Sequence, residues 1–384
     1  MSPIRTYLVA GARPNFMKVA PIYRAMARRP GFEPLLVHTG QHYDWDLSES
    51  FVAELGLPRP HAALGVGSGS HGAQTARTIQ AFEDLLGRDR PDLVVVVGDV
   101  NSTLGCALAT AKAFDAEGRR PRIAHVEAGL RSFDRSMPEE INRVLTDAVA
   151  DDLFTTEAGA GEHLRREGIP AERIHFVGNV MIDSLVGALQ GLDAAAALGR
   201  HGLRRKGFAL MTIHRPSNVD DRRALDRLVD LVEGVAAHCP VVLPLHPRTS
   251  ARVREFGLHD RLGRSATLTG PLPYSEFLAL MSAAAVVLTD SGGIQEETTY
   301  LAVPCLTLRP NTERPVTVTV GTNEVVGPDR GRVVDALGRI LRGEWKPGGC
   351  PPLWDGHAAE RIADVLALGS ERFFSVGYRT MTKL

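Results

Sequence analysis

The sequence predicts an α/β protein of two domains, each built on a parallel sheet of the doubly wound type. Three observations support this class: the chain has 384 residues, 44% of them are hydrophobic, and short apolar runs alternate with longer segments of helical periodicity. This length exceeds what one compact domain usually holds. Near-continuous apolar strands separated by helices are typical of parallel sheets that are covered on both faces.

The predicted strands form two successive series. The first lies at residues 4–10, 34–38, 93–97, 123–126, 153–155 and 174–177, with helices predicted at 17–28 and 103–114. The pattern restarts with strands at 208–213, 241–244, 266–268, 286–289 and 305–308. We therefore predict domains at residues 1–180 and 181–384, with a final helix at about 358–384 that is compatible with packing back on the first domain. Ligands of such sheets bind beyond the carboxyl ends of the strands, so the cleft between the domains is the expected site.

Composition and charge exclude several classes of function. The formal net charge is −1, from 44 basic and 45 acidic residues, so no overall field attracts nucleic acid or a lipid surface. The N-terminal residues lack the apolar stretch of a signal peptide, and no segment approaches the roughly 20 apolar residues of a membrane span. The cysteines and histidines lack the spacing of zinc ligands. We expect a cytoplasmic protein that binds no metal, no nucleic acid and no membrane.

A glycine-containing segment follows the first predicted strand. There Gly11 permits a sharp turn and Arg13 can form a two-pronged contact with a phosphate. Lys18 lies at the start of the next helix, whose dipole also favours an anion. The segment is not a Walker loop, because the required spacing is absent. A strand-to-helix turn with two solvated cations is the competing interpretation, and the local pattern does not decide between the two.

A second candidate phosphate site follows a buried strand of the second domain. Ser291, Gly292 and Gly293 place backbone N–H groups at a predicted helix N-terminus, which suits a diphosphate. Glu297, one turn later, can accept hydrogen bonds from ribose hydroxyls. Capping of the helix by Asp290 or Ser291 is the structural alternative. Two adjacent glycines at a helix start favour the phosphate interpretation.

Three carboxylates occupy positions suited to proton transfer. Asp99 and Glu127 each follow an apolar strand, and neighbouring parallel strands lie about 4.8 Å apart, so both are expected at one sheet edge with perturbed pKa values. Asp99 is also placed to cap the helix near Thr103. For Glu139, the pattern that begins at Ser136 fits a capping box, and spacing alone favours that structural role.

A histidine ends the first predicted strand of the second domain. A lone histidine at a strand end is more often structural than catalytic. His214 nevertheless lies beside Arg215, and the pair is suited to neutralising a departing phosphate.

Several short motifs are distributed over both predicted domains. In chain order they are Gly-Ala-Arg-Pro-Asn after the first strand, Thr39-Gly-Gln-His42, Gly98-Asp99, His125-Val-Glu-Ala-Gly-Leu-Arg131, Met137-Pro-Glu-Glu-Ile-Asn-Arg143, Val177-Gly-Asn179, Asp290-Ser-Gly-Gly-Ile-Gln-Glu-Glu297 and Thr312-Glu-Arg-Pro315. This combination, which spans residues 9–327, resembles the non-hydrolysing UDP-N-acetylglucosamine 2-epimerases. The resemblance implies a glycosyltransferase-B-like fold, in which two Rossmann-like lobes surround a nucleotide-sugar cleft, usually in a homodimer.

The resemblance also implies roles for individual residues. The expected UDP-binding set is Arg13, Lys18, His214, Ser291, Gly292, Gly293, Glu297 and Arg314. The segment 270–277, which includes Leu272 and Phe277, resembles the family loop that contacts uracil. Catalytic positions are matched by Asp99, Glu127 and Glu139, which partly overturns the capping preference for Glu139, and His214 is a further catalytic candidate. Gln41 and His42 match possible regulatory positions.

The implied reaction is the reversible C2 epimerisation of UDP-N-acetylglucosamine to UDP-N-acetylmannosamine. A base removes the C2 proton while UDP leaves C1, which yields 2-acetamidoglucal. Protonation on the opposite face of C2 and return of UDP complete the inversion. No cofactor is expected, because the chemistry needs no nicotinamide.

The chain departs from the family pattern in two regions, which keeps alternatives open. The stretch between Arg131 and Pro138 is short, and the histidine motif continues as Pro-Ser rather than Arg-Glu, so the substrate is alternatively a modified UDP-sugar of the diacetamido uronic acid type. Asp44 and Ala73 stand where regulated members carry glutamine and arginine, which predicts weak or absent activation by substrate. A glycosyltransferase of the same fold, a hydrolysing epimerase and a noncatalytic nucleotide-sugar sensor are the rival functions.

Overall fold

Two units make up the protein in the computed structural model. The structure describes residues 2–40, 52 and 54–373, without the side chains of 216, 217 and 369–373. Unit 1 comprises Met1–Ser184 and Pro352–Leu384, and unit 2 comprises Leu185–Pro351.

Unit 1 is organised around a parallel sheet, which has seven strands within the described residues, in the order β3-β2-β1-β4-β5-β6-β7. The strands are β1 (Ile4–Ala10), β2 (Phe32–His38), β3 (Ala62–Ala63), β4 (Leu93–Val97), β5 (Arg122–Val126), β6 (Asp152–Thr155) and β7 (Ile174–Phe176). All five residues of β4 are buried, as expected for a central strand that is covered on both faces.

Helices cover both faces of this sheet. They are α1 (Arg13–Ala27), α2 (His71–Asp89), α3 (Asn101–Lys112), α4 (Pro138–Val149), α5 (Ala158–Arg166), α6 (Val180–Leu189) and, near the C-terminus, α16 (Ala358–Phe373). Phe82 and Leu85 of α2 pack with Val94 and Ile123 of the sheet in one buried cluster. The last helix belongs to unit 1, where Arg29 donates a hydrogen bond to Asp364 at 2.6 Å.

Unit 2 repeats the architecture. Its parallel sheet has six strands in the part of the chain that the structure describes, in the order β10-β9-β8-β11-β12-β13. These are β8 (Ala209–Thr212), β9 (Val241–Pro244), β10 (Thr267–Thr269), β11 (Val286–Thr289), β12 (Cys305–Thr307) and β13 (Asn323–Val325). The helices are α7 (Ala194–Arg200), α8 (Pro216–Val219), α9 (Arg222–Ala236), α10 (Pro247–Glu255), α11 (His259–Ser265), α12 (Tyr274–Ala283), α13 (Gly292–Tyr300), α14 (Pro315–Thr319) and α15 (Arg330–Leu341).

Helix α9 illustrates how local sequence forms these elements. Asp221 caps it by accepting a hydrogen bond from the Ala224 backbone N–H at 2.9 Å. Leu225, Leu228 and Val232 then recur at the spacing of one helical face, and all three are buried against the unit 2 sheet.

The predicted fold class is confirmed: both sheets are parallel and both begin with the strand order of a Rossmann domain. Strands β1, β4, β9 and β11 have the predicted bounds. The first helix begins at Arg13, so the predicted start at residue 17 is wrong. Proline is well tolerated in a first turn, so the motif read as a turn is already helical.

Strand register brings the polar strand ends to one edge of each sheet. In unit 1, Val97 of β4 pairs with Val126 of β5, so the residues that follow both strands lie side by side. In unit 2, Thr212 of β8 pairs with Thr289 of β11 in the same way. Each sheet therefore presents polar groups at its carboxyl edge, where doubly wound sheets bind ligands.

No single helix among the described residues is long and apolar enough to cross a membrane. The pair Val180–Leu189 and Ala194–Arg200, bent by 79°, meets the length and composition criterion only when both are counted together.

Candidate functional site

The turn between β1 and α1 is closed by Asn15. Its side-chain oxygen accepts hydrogen bonds from the backbone N–H groups of Gly11 (3.3 Å) and Ala12 (2.9 Å). Its amide donates to the Val97 carbonyl at 3.0 Å, which ties the turn to β4. A Cβ at Gly11 would lie 2.4 Å from the Ser102 hydroxyl oxygen, so space rather than an unusual φ requires glycine here.

The two cations of α1 have different environments. Arg13 is the first helical residue and is exposed. Lys18 is buried in the second turn, and its ammonium forms an ion pair with the Glu127 carboxylate. A Cβ at Gly98 would lie 2.9 Å from Lys18 Nζ and 3.9 Å from a Glu127 oxygen, so glycine leaves room for the pair. The structure thus joins an expected phosphate ligand to an expected catalytic carboxylate.

Glu127 has an uncommon backbone conformation. Its φ is +72°, in the left-handed region that non-glycine residues rarely occupy. Its backbone N–H donates to the Phe154 carbonyl of β6 at 3.0 Å, which helps to hold this conformation. Strained backbone of this kind is concentrated at functional sites, so the outlier supports the assignment of Glu127 to the site.

Asp99 is held by α4. The Arg143 guanidinium donates from Nε (3.1 Å) and Nη2 (2.7 Å) to Asp99 Oδ2, and the Asn142 amide donates to the Asp99 backbone carbonyl at 2.8 Å. The alternative in which Asp99 caps the next helix is wrong, since the N-cap residue of α3 is Val100, without a side-chain cap. The carboxylate is bound instead by two donors of a positively charged guanidinium, which is a strong, charge-assisted contact.

The capping box predicted for Glu139 is also wrong. Helix α4 begins at Pro138 with Met137 as its N-cap residue, and no side chain caps it. Ser136 Oγ instead donates to Asp134 Oδ1 at 2.6 Å. Because the helix starts one residue later than a Ser136 cap requires, Glu139 is the second helical residue and not the third, which a capping box needs. Within the described part of the chain, its half-buried carboxylate makes no hydrogen bond or ion pair.

Glu140, which the sequence analysis missed, has the structural role instead. Its carboxylate accepts hydrogen bonds from the backbone N–H groups of Ser132 (2.9 Å) and Phe133 (2.8 Å) and pairs with Arg143 at 2.6 Å. Burial opposes ionisation, but these bonds outweigh it and hold the pKa of Glu140 below its usual value. Two consecutive glutamates at residues 139 and 140 were the sequence feature that could have indicated this role. Spacing does not show which of the two is structural.

In unit 2, His214 is oriented by Asp290. The imidazole Nδ1 lies 3.1 Å from Asp290 Oδ1, and the side chain is 44% exposed. The buried Asp290 also accepts the Arg215 backbone N–H (2.9 Å) and the Asn218 amide (3.0 Å). Burial opposes its ionisation, but the hydrogen bond from His214 and the other donors lower the pKa of Asp290. A carboxylate on one ring nitrogen fixes the tautomer and directs the other nitrogen outward.

The N-terminus of α13 lacks the predicted side-chain cap. Ser291 is the N-cap residue, but its side chain makes no cap hydrogen bond, and Asp290 points to the His214 segment instead. The Ser291 backbone N–H donates to Thr289 Oγ1 at 3.0 Å. Both capping alternatives are therefore wrong. The first helical residue is Gly292, where a Cβ would lie only 2.6 Å from Arg314 Nη1.

Arg314 lies in a buried cluster of charges. Its Nε is 2.7 Å from a Glu296 oxygen, and its Nη1 is 2.7 Å from a Glu313 oxygen. Glu313 also pairs with Arg309 at 2.8 Å. The preceding loop is anchored by Thr312, whose hydroxyl donates to Gln295 at 2.7 Å and accepts the Arg314 backbone N–H. The cluster holds the guanidinium against the start of α13.

Glu297 is buried in the same helix. The Tyr274 hydroxyl donates a hydrogen bond to Glu297 Oε1 at 2.8 Å. Burial raises the pKa of Glu297 to about 7, with a smaller opposing effect from Tyr274. Leu272 and Phe277, both half-buried, stand on either side of Tyr274 in the sequence: Leu272 lies between β10 and α12, and Phe277 lies in the first turn of α12. Tyr274 was missed, although it stands within the segment likened to a uracil loop.

The predicted residues thus fall into two groups. In unit 1, Lys18 contacts Glu127, while Asp99 is tied to the helix that carries Glu139. In unit 2, Arg314 lies beside Gly292, and His214, Ser291, Gly293 and Glu297 belong to the same sheet edge and its helix. Gln41 and His42 lie outside the described residues. Among those described, no group of three or more His, Cys, Asp or Glu side chains is arranged to hold a metal ion.

Comparison with known proteins links this chain to one family. The sequence profile of the family described as UDP-N-acetylglucosamine 2-epimerase matches residues 24–367. A UDP-N-acetylglucosamine 2-epimerase of Methanocaldococcus jannaschii is 40% identical over 377 residues, which cover 94% of this chain and 98% of the relative. A UDP-2,3-diacetamido-2,3-dideoxy-D-glucuronate 2-epimerase of Pseudomonas aeruginosa is 38% identical over 366 residues, which cover 94% and 98%.

A solved structure gives the same result. The crystal structure of Methanocaldococcus jannaschii UDP-GlcNAc 2-epimerase in complex with UDP-GlcNAc and UDP is similar to this chain with a TM-score of 0.85 and 39% identity. The match covers 95% of this chain and 100% of that one. Such neighbours have the glycosyltransferase-B-like fold, as predicted.

Proposed function

This chain belongs to the UDP-N-acetylglucosamine 2-epimerase family, and we propose that it interconverts UDP-N-acetylglucosamine and UDP-N-acetylmannosamine by elimination and re-addition of UDP. The observation that carries this proposal is the pair of carboxylates at the ends of adjacent strands, Asp99 after β4 and Glu127 after β5. Epimerisation at a carbon of low acidity needs such groups together with a site that stabilises the leaving group.

In the first half of the reaction a carboxylate accepts the proton from C2 of the sugar. The electron pair of that C–H bond forms a C1–C2 double bond, and the C1–O bond breaks so that UDP leaves with its electron pair. The products of this step are 2-acetamidoglucal and UDP. In the second half, a carboxylic acid protonates C2 on the opposite face, and UDP bonds again to C1. Asp99, Glu127 and Glu139 are the candidates for these proton transfers.

The contacts of Asp99 support a role as an ionised carboxylate. Two donors of Arg143 converge on its Oδ2, and the side chain is 25% exposed, so it is accessible from solvent. Charge-assisted, two-pronged contacts favour the ionised form of a carboxyl group. Glu139 stands one turn before Arg143 on the same helix, so α4 positions both acidic groups.

Unit 2 supplies groups suited to UDP. Ser291 is the N-cap residue of a nine-residue helix that begins with Gly292 and Gly293, and the backbone N–H groups and dipole at this N-terminus favour a diphosphate. Arg314 adds a guanidinium beside Gly292. His214 would stabilise the charge that develops on the departing phosphate, and Glu297 would accept hydrogen bonds from the ribose.

A modified UDP-sugar is the second candidate substrate. The observation that favours it is the Pseudomonas aeruginosa relative, whose identity of 38% is close to the 40% of the Methanocaldococcus jannaschii enzyme. The two names describe the same inversion at C2 of different sugars. The chemistry assigned to the acidic residues is therefore unchanged, and only the contacts with the sugar substituents differ.

The test is an incubation of the purified protein with UDP-N-acetylglucosamine in D2O, without acceptor or added metal, followed by NMR. We expect deuterium at C2 and formation of UDP-N-acetylmannosamine. Free N-acetylmannosamine with UDP would instead identify a hydrolysing enzyme. If the spectrum is unchanged, the UDP-diacetamido uronic acid sugar is tested in the same way, and no exchange with either sugar overturns the proposal.

Variants separate chemistry from binding. Asp99→Asn, Glu127→Gln and Glu139→Gln are expected to abolish C2 exchange while UDP still binds, because most of the expected UDP-binding groups lie in unit 2. Glu172→Gln, a change at an exposed carboxylate of unit 1, is the matched control and should retain full activity. Full activity in all three acidic variants contradicts the assigned chemistry.

A further inference from the structure

His125 has no role in the reaction as described above, yet it is completely buried beside the acidic site. It belongs to β5, two residues before Glu127. Its Nδ1 lies 2.6 Å from Asp147 Oδ1 of α4, and its Nε2 lies 2.9 Å from the Gly98 backbone carbonyl oxygen. Both ring nitrogens therefore face an oxygen at hydrogen-bond distance.

The partners determine where the protons lie. A backbone carbonyl only accepts, so Nε2 of His125 carries a proton and donates to Gly98. A neutral imidazole has one N–H, so a donor at Nδ1 as well makes the ring an imidazolium. The other oxygen of Asp147 accepts the Gly129 N–H at 3.1 Å and pairs with the Arg131 guanidinium at 2.7 Å, and both contacts favour an ionised carboxylate. An ionised carboxylate has no proton to donate, so Asp147 accepts a hydrogen bond from Nδ1.

The charges of this network alternate. Burial opposes ionisation of Asp147, but the attraction of His125 and the contacts with Arg131 outweigh it and hold its pKa below the usual value. Arg131 in turn donates to the carboxylate of Glu167 at 2.6 and 2.8 Å. The order is imidazolium, carboxylate, guanidinium, carboxylate, so each buried charge has a partner of opposite sign.

The carbonyl that His125 holds belongs to the residue before Asp99. Gly98 has a φ of +69°, and its N–H donates to the Val126 carbonyl at 3.0 Å. Both polar backbone groups of Gly98 are thus bound by β5, one through the strand and one through the His125 side chain. Without the imidazole, the carbonyl would be buried without this donor, and the peptide that leads into Asp99 would lose an anchor.

Helix α4 is fixed by the same histidine. Asp147 lies about one turn beyond Arg143, which holds Asp99, and Glu139 stands in the first turn of the helix. His125 therefore joins the loop of Asp99 to the helix that bears Glu139. We propose that His125 is a positioning residue, whose imidazolium sets the placement of Asp99 relative to α4 and so controls the geometry of proton transfer. The expected effect of His125 on kcat rests on the proposed function.

The first test is 15N NMR of the wild-type protein near pH 7. We expect both ring nitrogens of His125 to be protonated. One protonated and one unprotonated nitrogen would overturn the imidazolium assignment. This measurement needs neither a variant nor a substrate, so it decides independently of activity.

The second test compares two substitutions of similar kind. His125→Gln removes the imidazolium but retains an amide donor, and His125→Phe removes every donor. His175→Gln is the matched control, because His175 also binds an aspartate, Asp152, which is paired with an arginine in the same sheet. A general effect of losing a histidine–aspartate contact would appear in the control and in the His125 variants alike.

We expect kcat for UDP-N-acetylglucosamine to fall roughly 10- to 100-fold in His125→Gln and further in His125→Phe, because small misplacements of reacting groups cost about that much. UDP affinity should stay within about twofold, and kcat of His175→Gln should stay near the wild-type value. A His125→Gln protein with the kcat of the control overturns the positioning role.

Hydrogen exchange separates the two proposals. The Gly98 amide should exchange faster in His125→Gln than in His175→Gln, because the peptide has lost one of its anchors. Equal exchange in the two variants contradicts the role of His125 whether or not the enzyme acts on UDP-sugars. A wild-type protein inactive toward both candidate sugars overturns the proposed function, while NMR and exchange still decide on His125.

Discussion

The ammonium of Lys18 and the carboxylate of Glu127 form a buried ion pair in unit 1, with side chains that are 9% and 3% exposed. One residue comes from the second turn of α1 and the other from the residue that follows β5. Their contact means that an expected ligand of phosphate and an expected proton-transfer group are electrostatically coupled. Substitution of either residue changes the surroundings of the other.

Lys18→Met tests the strength of this pair. We expect it to lower the free energy of unfolding by about 3–5 kcal/mol, because it leaves a buried carboxylate without its cation. Urea denaturation near pH 7 measures the change. Lys112→Met, at an exposed position, should alter stability by less than about 0.5 kcal/mol. The double variant Lys18→Met/Glu127→Gln should recover part of the loss, and equal stability of the two lysine variants would show that the pair is unimportant.

Asp290→Asn tests the orientation of His214. The Asp290 carboxylate contacts the His214 imidazole and accepts the His214 backbone N–H, so an amide at this position should leave the imidazole poorly oriented. We expect kcat to fall at least about 10-fold, in line with the loss of groups that orient a catalytic histidine. Asp260→Asn, whose side chain is 95% exposed, is the control. Indistinguishable kcat values for the two variants, with circular dichroism showing both folded, argue against a role for Asp290.

The raised pKa of Glu297 predicts pH-dependent binding of UDP. Burial sets that pKa at about 7, so the side chain loses its proton as the pH rises through neutrality. The carboxylate is the better acceptor for ribose hydroxyls, so we expect UDP affinity to increase between about pH 6 and pH 8. Calorimetric titration at several pH values measures this. In Glu297→Gln the pH dependence of UDP affinity that comes from UDP itself should remain, while the part that comes from Glu297 should disappear. The same pH profile in the variant and the wild type would contradict the role of Glu297 in binding UDP.

The same group predicts how stability depends on pH. An unfolded glutamate has a pKa of about 4.3, below the folded value of about 7, so the unfolded state binds fewer protons between these limits. The contribution of Glu297 is therefore complete below about pH 4.3 and is lost as the pH rises through about 7. Urea denaturation across this window should show a smaller decline in Glu297→Gln than in the wild type.

Gly98→Ala tests the crowding around the acidic residues. A Cβ would lie 2.9 Å from Lys18 Nζ at a residue whose φ is +69°, so we expect both strain and a displaced ion pair. Gly118 has a φ of +76° with no atom near its missing Cβ, so Gly118→Ala carries the backbone cost of about 1 kcal/mol alone. The Gly98 variant should be less stable than this control and should lose activity. Equal stability and activity in both would show that the contact is unimportant.

Local sequence patterns were sufficient for the elements of the fold. The run of valines in β4 predicted a buried central strand, and the strand has the predicted bounds. Strands β3 and β13 were not predicted, because β3 is only two residues long and β13 reads Asn-Glu-Val, which is not an apolar run. Likewise, the start of α1 was misplaced because Arg13 and Pro14 are compatible with both a turn and a first helical turn.

Two capping interpretations were wrong, and for different reasons. A cap at Asp99 was the alternative to its catalytic role, and spacing alone favoured a capping box for Glu139, but Val100 and Met137 are the N-cap residues of the two helices. Arg143, 44 residues from Asp99, binds that carboxylate, and the helix begins too late for Glu139 to cap it. The net gain from a local cap is about 1 kcal/mol, which a buried guanidinium contact readily exceeds.

The amino-acid sequence by itself determined the two doubly wound sheets and the polar residues that follow their strands, because hydrophobic periodicity acts over a few neighbouring residues. Only the tertiary structure decided the partners: Lys18 with Glu127, Asp99 with Arg143, and His214 with Asp290. These pairs depend on which strand ends meet at a sheet edge and on the register that aligns Val97 with Val126. Coulomb and hydrogen-bond energies depend on distance in space, so the chemistry of the site follows from the packing of segments remote in the chain.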